Sequence, residues 1–172
     1  IITQINKQNN YLFFSGSCLK YSKKITEIKK VVKKQDIIRI EAFTKLNWIA
    51  YSQHVLDPIN EYFNYKCKFE YQKSETKNRL KKKIFFKLNK KINLNINLDT
   101  NCKKIYMIFV LKNKKKYKIT LDDYHYSFKK TLQKFIQMVK NNKMINDKEN
   151  FFNLSRLVLQ TSNDMKSKKY DR

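Results

Sequence analysis

Apolar and polar residues alternate along much of the chain from about residue 36 onward, and this alternation predicts strands. In the first run, Ile38, Ile40 and Ala42 fall on one face, with Arg39 and Glu41 on the other. The later runs are also of strand length, and each is expected to pair in a sheet. These runs cover residues 65–72, 84–88, 92–98, 105–111, 117–121 and 151–159.

Two longer segments repeat apolar residues at steps of three and four, which predicts amphipathic helices. The first covers 46–63 and contains Pro58, so it either kinks there or begins a second short turn after an Asp57 cap. The second covers 121–139, where Thr120 can cap the first turn.

The order of these elements is strand, helix, strands, helix, strand. This order predicts an α+β fold of the ferredoxin-like, split β-α-β type, with an antiparallel sheet and both helices on one face. The stretch 73–121 is longer than such a fold needs, so part of it is expected to project as an extended basic hairpin. We divide the chain into a basic N-terminal extension (1–35), a ferredoxin-like domain (36–160) and a polar C-terminal tail (161–172).

The net charge of the chain indicates what kind of partner it binds. The chain of 172 residues carries 39 Lys+Arg against 14 Asp+Glu, a formal net charge of +25. Abundant lysine with scarce glycine and proline indicates an A/T-rich gene, from an organelle or an A/T-biased protist. Such a gene has Glu codons equally available, so the positive sign indicates a polyanionic partner.

Composition also excludes several classes of protein. No run approaches the roughly 18 apolar residues of a membrane-spanning helix, and the longest is Ile105–Leu111. Cys18, Cys67 and Cys102 are isolated and odd in number, which argues against a disulfide framework and a zinc site. We therefore expect reduced thiols, no metal and no membrane span.

Catalytic chemistry finds little support in the sequence. His54 and His125 lie on the two predicted helices with no metal-binding motif around them, and they are interpreted as semi-exposed helix residues. Asp122 and Asp123 are interpreted as acids at a helix N-terminus rather than metal ligands. Gly16 stands alone in Ser-Gly-Ser and cannot form a glycine-rich phosphate loop. We predict no catalytic residue and no cofactor.

Basic residues around the predicted hairpin are the remaining signal. Such groups bind backbone phosphates through counterion release, whereas an ordinary solvated surface would leave so many like charges repelling one another. The chain lacks helix-turn-helix, zinc-finger and RNA-recognition strand patterns, so RNA contacted by shape and phosphate is favoured over DNA. The predicted RNA-binding residues are Arg39, Lys77, Arg79, Lys81, Lys82, Lys83, Lys90, Lys91, Lys103, Lys104, Lys114, Lys115 and Lys116.

The segment Ile38-Arg39-Ile40-Glu41-Ala42-Phe43, with the element order that follows it, resembles the small-subunit ribosomal proteins of the S-ten family. Their strand has the form Ile-Arg-Leu-x-Ala-Phe, and the resemblance covers about residues 36–160. It implies a ferredoxin-like protein in the head of the small ribosomal subunit. The hairpin would enter ribosomal RNA, Arg39 and the hairpin lysines would face it, and the sheet edge would meet neighbouring ribosomal proteins.

The sequence thus leads us to expect a non-enzymatic, RNA-binding constituent of the mitochondrial small ribosomal subunit, located in the matrix, with no small-molecule substrate. Two alternatives stay open. In the first alternative, the chain is an accessory, non-catalytic subunit of a mitochondrial membrane complex, held by acidic lipid headgroups or partner subunits. In the second, it is an RNA-processing enzyme, such as a small nuclease, which needs clustered acids or histidines.

Overall fold

The strands form a single six-stranded sheet in the computed structural model, which describes residues 16–142 and 148–167. The sheet order is β2-β3-β4-β1-β5-β6. β1 runs parallel to β4, and the other neighbouring strands pair antiparallel. The strands are β1 (Ile37–Thr44), β2 (Phe69–Asn78), β3 (Lys81–Leu88), β4 (Ile92–Asp99), β5 (Tyr106–Leu111) and β6 (Lys116–Thr120).

The described residues also form five α-helices and two short 3-10 turns, Cys18–Tyr21 and Lys34–Asp36. No helix among these residues is long and apolar enough to cross a membrane. The helices are α1 (Lys23–Val31), α2 (Trp48–Tyr51), α3 (Gln53–Tyr62), α4 (Tyr124–Lys140) and α5 (Lys148–Ser167).

Strand alternation places one face of the sheet in the core. Ile40 and Ala42 of β1 are fully buried, and they pair in register with Leu94 and Ile96 of β4, which are buried as well. The intervening residues, such as Glu41, lie on the opposite and partly exposed face. The period of two predicted from the sequence is therefore the period that the sheet uses.

Aromatic side chains join the helices to the buried face. The ring of Tyr62 on α3 lies 5.0 Å from that of Phe109 on β5. The ring of Trp48 on α2 lies 6.3 Å from that of Phe86 on β3. Such close ring pairs add specific contact energy to the area that the side chains bury.

The residues before β1 pack onto the same core. Leu19 of the first 3-10 turn is buried, and so are Ile25 and Ile28 of α1. An ion pair between Lys29 and Glu61, with its atoms 2.8 Å apart, joins α1 to α3. This packing brings the stretch that begins at residue 16 against α3, where the candidate site lies.

The predicted helix over 46–63 is two helices, and the break falls at Ser52 rather than at Pro58. Asn47 begins α2 by accepting a hydrogen bond from the Ala50 N–H at 3.2 Å. α3 then continues through Pro58 to Tyr62. The missing proline N–H costs α3 one backbone hydrogen bond, which burial of this helix offsets.

The prediction of a mixed fold, in which strands and helices share one core, is confirmed, but the sheet does not have the predicted ferredoxin-like arrangement. The segment expected to project as a basic hairpin instead supplies β3, β4, β5 and β6, all of which belong to the sheet. Their apolar positions, such as Ile84 and Leu94, are buried. A projecting hairpin would have left those side chains in water, which explains why the segment folds into the sheet.

The closing strand predicted over 151–159 is also wrong, because this run lies within α5. Leu154, Val158 and Met165 are buried at helical spacing. Short apolar runs fit both periods, and here the longer pattern, which extends past the predicted end of the strand, decides for the helix.

Candidate active site around His54

The predicted RNA-binding residues do not gather on one surface. The strand register places one group at the β2–β3 end of the sheet and another at the β3–β4 end, about 25 Å away along an eight-residue strand. The first group is Lys77, Arg79, Lys81, Lys103 and Lys104, the second is Lys90, Lys91, Lys114, Lys115 and Lys116, and Arg39, Lys82 and Lys83 lie between them on β1 and β3.

Several of these cations are paired with acids. Arg39 Nε lies 2.9 Å from a Glu41 carboxylate oxygen on the partly exposed sheet face. Lys104 Nζ lies 2.9 Å from an Asp122 oxygen. Asp122 is therefore neutralised by a surface cation, and among residues 16–142 and 148–167 no cluster of three or more His, Cys, Asp and Glu side chains is placed to hold a metal ion.

Chemistry-bearing side chains converge instead where the 3-10 turn Cys18–Tyr21 meets α3. His54 and Asp57 are three residues apart on α3, which places them on the same side of the helix. Both reach back to Ser17, the cap of the 3-10 turn. Lys20 follows within that turn and is only 4% exposed. We call Ser17, Lys20, His54 and Asp57 the His54 site.

Ser17 makes the hydrogen bonds that join the two segments. Its backbone N–H donates to Asp57 Oδ2 at 2.5 Å, and its Oγ lies 2.7 Å from His54 Nδ1. The same Oγ accepts from the Leu19 N–H at 3.1 Å. A hydroxyl can donate to Nδ1 or accept from Nδ1–H, so Ser17 can hold the His54 ring in either neutral tautomer.

Burial controls the charges of the His54 site. It lowers the pKa of the half-buried His54 imidazole, so the ring is neutral at pH 7. It also lowers the pKa of the Lys20 ammonium, an effect that the carboxylates of Asp57 and Glu61 oppose. For Asp57, burial raises the pKa of the carboxyl, while the Ser17 N–H and Lys20 act in the opposite direction. The site thus places a buried amine and a buried carboxyl, each of which favours the charged form of the other, beside a neutral imidazole.

Gly16 is required where the chain enters the site. Its φ is +99°, a backbone conformation that residues with a Cβ rarely adopt. A Cβ there would overlap the Asp57 carboxylate and lie 3.1 Å from Lys20 Nζ. The lone glycine of the sequence therefore allows the backbone to approach Asp57 and Lys20.

Asp123 fastens this region to the start of α4. Its carboxylate accepts from Ser22 Oγ at 2.6 Å and from the Lys23 N–H at 2.7 Å, so it binds the first residues of α1. Asp123 lies at the N-terminus of α4, as the sequence predicts, and its hydrogen bonds also reach across to α1. His125, two residues on, is exposed on α4.

The sequence interpretation missed the His54 site. His54 is a semi-exposed helix residue, as the sequence predicts, but its hydrogen bond to Ser17, 37 residues earlier in the chain, is not predicted. The nearest available signal was the His-x-x-Asp spacing on α3, which predicts a shared helix face but no partner.

No family model and no curated protein match this chain. Among solved structures, apo scyllo-inositol dehydrogenase from Lactobacillus casei matches with a TM-score of 0.69 at 13% identity, over 91% of this chain and 62% of that one. A structure of the same enzyme at 77 K gives 0.68 at 12% identity, over 94% and 63%. D-galactose-1-dehydrogenase from Rhizobium etli gives 0.64 at 11% identity, over 89% and 60%.

These matches show a fold shared with part of two sugar and polyol dehydrogenases, and this chain spans about three-fifths of their length. They overturn the assignment to the S-ten family, which depended on a six-residue strand motif and on a closing strand that is a helix. The ribosomal RNA partner, the small-subunit role and the exclusion of an enzyme and of a small-molecule substrate fall with it. Neither the membrane-complex nor the RNA-processing alternative fits these neighbours better.

Proposed function

We propose that this chain is the substrate-binding part of a dehydrogenase acting on a hydroxyl group of a sugar or polyol. The observation that carries the proposal is the fold, shared over 91% of the chain with scyllo-inositol dehydrogenase. The galactose dehydrogenase neighbour points to the same class of polyhydroxylated substrate.

His54 supplies the acid–base group in this proposal. Dehydrogenation of an alcohol removes the hydroxyl proton as well as a hydride, and a neutral imidazole can accept that proton near pH 7. When Nδ1–H donates to Ser17 Oγ, the Nε2 lone pair is available for the substrate hydroxyl. Asp57 acts indirectly, because its carboxylate accepts the Ser17 N–H and so fixes the backbone of Ser17. Lys20 also acts indirectly, because its charge favours the ionised form of Asp57.

The described residues do not fit a nicotinamide dinucleotide. A dinucleotide-binding fold presents a G-x-G-x-x-G turn between a strand and a helix of a parallel sheet. This chain has one glycine, Gly16, which precedes a 3-10 turn, and the described sheet has one parallel pair of strands. We therefore place no dinucleotide in the His54 site and assign only proton transfer and substrate binding to these residues.

The test is a dehydrogenase assay on the intact protein that carries this chain. Oxidation of inositols, galactose and related polyols is followed by the absorbance of reduced nicotinamide, with NAD and NADP each supplied. His54→Gln is expected to lower kcat by about 100-fold or more while the protein stays folded, because a general base contributes about that much.

His125→Gln is the matched control, since it removes an exposed histidine from α4 and should leave the rate unchanged. Equal rates for the two variants would remove His54 from the mechanism. A folded protein that oxidises no polyol with either dinucleotide would refute the proposed function itself.

A further inference from the structure

A cleft lies between the chain segment that follows α3 and the first half of α5. Its volume of about 620 Å³ falls within the range of about 300–1,000 Å³ that small-molecule sites occupy. Residues 65–69 form one wall, and α5 residues between 149 and 157 form the other. We call this space the α5 cleft.

The α5 cleft is separate from the His54 site. His54 lies in the first turn of α3, whereas Tyr65 follows the last residue of that helix, Tyr62. A helix of this length spans about 15 Å, so the imidazole and the cleft lie at its opposite ends. The residues that line the cleft include none of the four that form the His54 site. A ligand bound in the α5 cleft therefore does not occupy the His54 site.

Hydrogen bonds hold the wall that follows α3 at both ends. The Tyr65 N–H donates to the Asn60 carbonyl at 2.8 Å. The Lys68 N–H donates to Asn89 Oδ1 at 2.7 Å, and the Asn89 N–H donates back to the Lys68 carbonyl at 2.9 Å. Asn64 and Tyr65 have φ of 56° and 57°, a conformation that residues with a Cβ adopt rarely and only where surrounding contacts hold them. The wall is therefore in place before any ligand binds.

The floor of the α5 cleft is apolar. Cys67 and Leu154 are buried, and Phe69 and Leu157 are partly buried against the core. Burial raises the pKa of the Cys67 thiol to about 12, so this group is uncharged at pH 7. The floor therefore favours an apolar chain or ring over a polar one.

Two lysines give the rim of the α5 cleft a positive charge. Lys66 and Lys68 are exposed, and neither forms an ion pair within residues 16–142 and 148–167. Glu149, on the opposite wall, is the one carboxylate among the lining residues. Burial lowers the pKa of Lys34, and the charges of Lys29 and Lys66 lower it further, so more cations lie beside the rim. This balance of charge favours an anion.

We propose that the α5 cleft binds an amphiphilic anion, in which an apolar chain or ring carries an anionic head group. The apolar part packs on Phe69 and Leu157, and the head group accepts charge-assisted hydrogen bonds from Lys66 and Lys68 at the rim. Such binding requires no dehydrogenase activity, because it uses no residue of the His54 site.

Isothermal titration calorimetry on the intact protein tests the chemical class of the ligand. Decanoate, decanol and decyltrimethylammonium have the same apolar chain and carry a negative charge, no charge and a positive charge. Decanoate, kept below its micelle concentration, is expected to bind about tenfold or more tightly than either of the others, because only its head group accepts hydrogen bonds as an anion. Equal affinities for the three compounds, or no binding of decanoate, would overturn the proposal.

A pair of double variants tests the rim. Lys66→Gln combined with Lys68→Gln should weaken decanoate binding by about tenfold or more. The matched control is Lys77→Gln combined with Lys103→Gln, which removes two exposed lysines at the far end of the sheet. All four side chains are exposed, so the unfolding curves of both double variants should match that of the unmodified protein. If the two double variants bind decanoate equally well, the rim lysines do not bind the head group and the proposal fails.

Hydrogen exchange read by mass spectrometry locates the ligand. Saturating decanoate is expected to slow amide exchange in residues 65–69 and 149–157 and to leave the segment around His54 unchanged. Slower exchange only in other segments would place the ligand elsewhere and contradict the proposal. A protein that binds decanoate in this way but oxidises no polyol would refute the proposed function alone.

Discussion

Replacing Asp57 by alanine removes the only carboxylate of the His54 site. Asp57 is 7% exposed and accepts the Ser17 N–H at 2.5 Å. It is also the largest of the charges that favour the ammonium form of Lys20. The substitution therefore leaves a buried N–H without its acceptor and removes from Lys20 the stronger of the two carboxylates that favour its ammonium form.

The expected cost follows from these two losses. Breaking a buried ion pair by removing one partner costs about 3–5 kcal/mol, and an unsatisfied buried N–H costs about 1–3 kcal/mol. Lys20 can lose its proton, which limits the cost of removing its partner. The Lys20 and Ser17 contacts also use the same carboxylate, so their two costs are not fully additive. We therefore expect a total loss of about 3 kcal/mol in the free energy of unfolding at pH 7.

Urea unfolding followed by tryptophan fluorescence measures this loss, because Trp48 is the single tryptophan and lies in the core. Asp99→Ala is the matched control. Asp99 lies 3.4 Å from Lys81 with both side chains partly exposed, and removing such a surface pair should cost at most about 1 kcal/mol.

The pH dependence gives a second signature. Asp57 raises the pKa of Lys20, so its removal lowers that pKa further below the ordinary 10.5. At pH values between the lowered pKa of Lys20 in the folded variant and the ordinary pKa of 10.5 in the unfolded chain, the unfolded chain binds more protons than the folded one. The free energy of unfolding of Asp57→Ala should therefore rise with pH over this range. Adding Lys20→Met should abolish this rise. A cost equal to that of Asp99→Ala, with no such slope, would refute the buried pair.

Three further outcomes are expected. Gly16→Ala should destabilise the protein by about 2 kcal/mol or more in urea unfolding, since it combines an unfavourable positive φ with overlap at Asp57. Thr161→Val should cost about 1–3 kcal/mol in the same assay and alter tryptophan emission, because Trp48 Nε1 donates to Thr161 Oγ1 at 2.7 Å. Burial raises the pKa of the Cys67 thiol to about 12, so iodoacetamide at pH 8 should leave Cys67 unmodified until urea unfolds the protein.

Strands such as β1 and β4 could be predicted from the sequence. β1 and β4 alternate apolar and polar residues because one face of each is buried, and that alternation is a local property of the sequence. The order of strands in the sheet is not local. No pattern in the residues of β1 predicts that β4 pairs with it in parallel, because β2 and β3 lie between them in the chain.

The His54 site could not be predicted for a related reason. Ser17 reaches His54 and Asp57 across 37 and 40 residues, through a glycine conformation that no periodic pattern reveals. The excess of lysine, by contrast, was conspicuous and misleading. A solvated lysine and a phosphate-binding lysine look the same in sequence, and ion pairs such as that of Lys104 with Asp122 appear only once the chain is folded.

The hydrogen bond from Trp48 to Thr161 joins residues 113 positions apart. At about 5–20 residues per second, a cell needs roughly 6–23 s to synthesise that interval. During this time the indole of a nascent chain has no α5 to cover it, so it stays available to chaperones and to premature apolar contacts. α5 therefore sets when the Trp48 indole is covered, however early the sheet has formed.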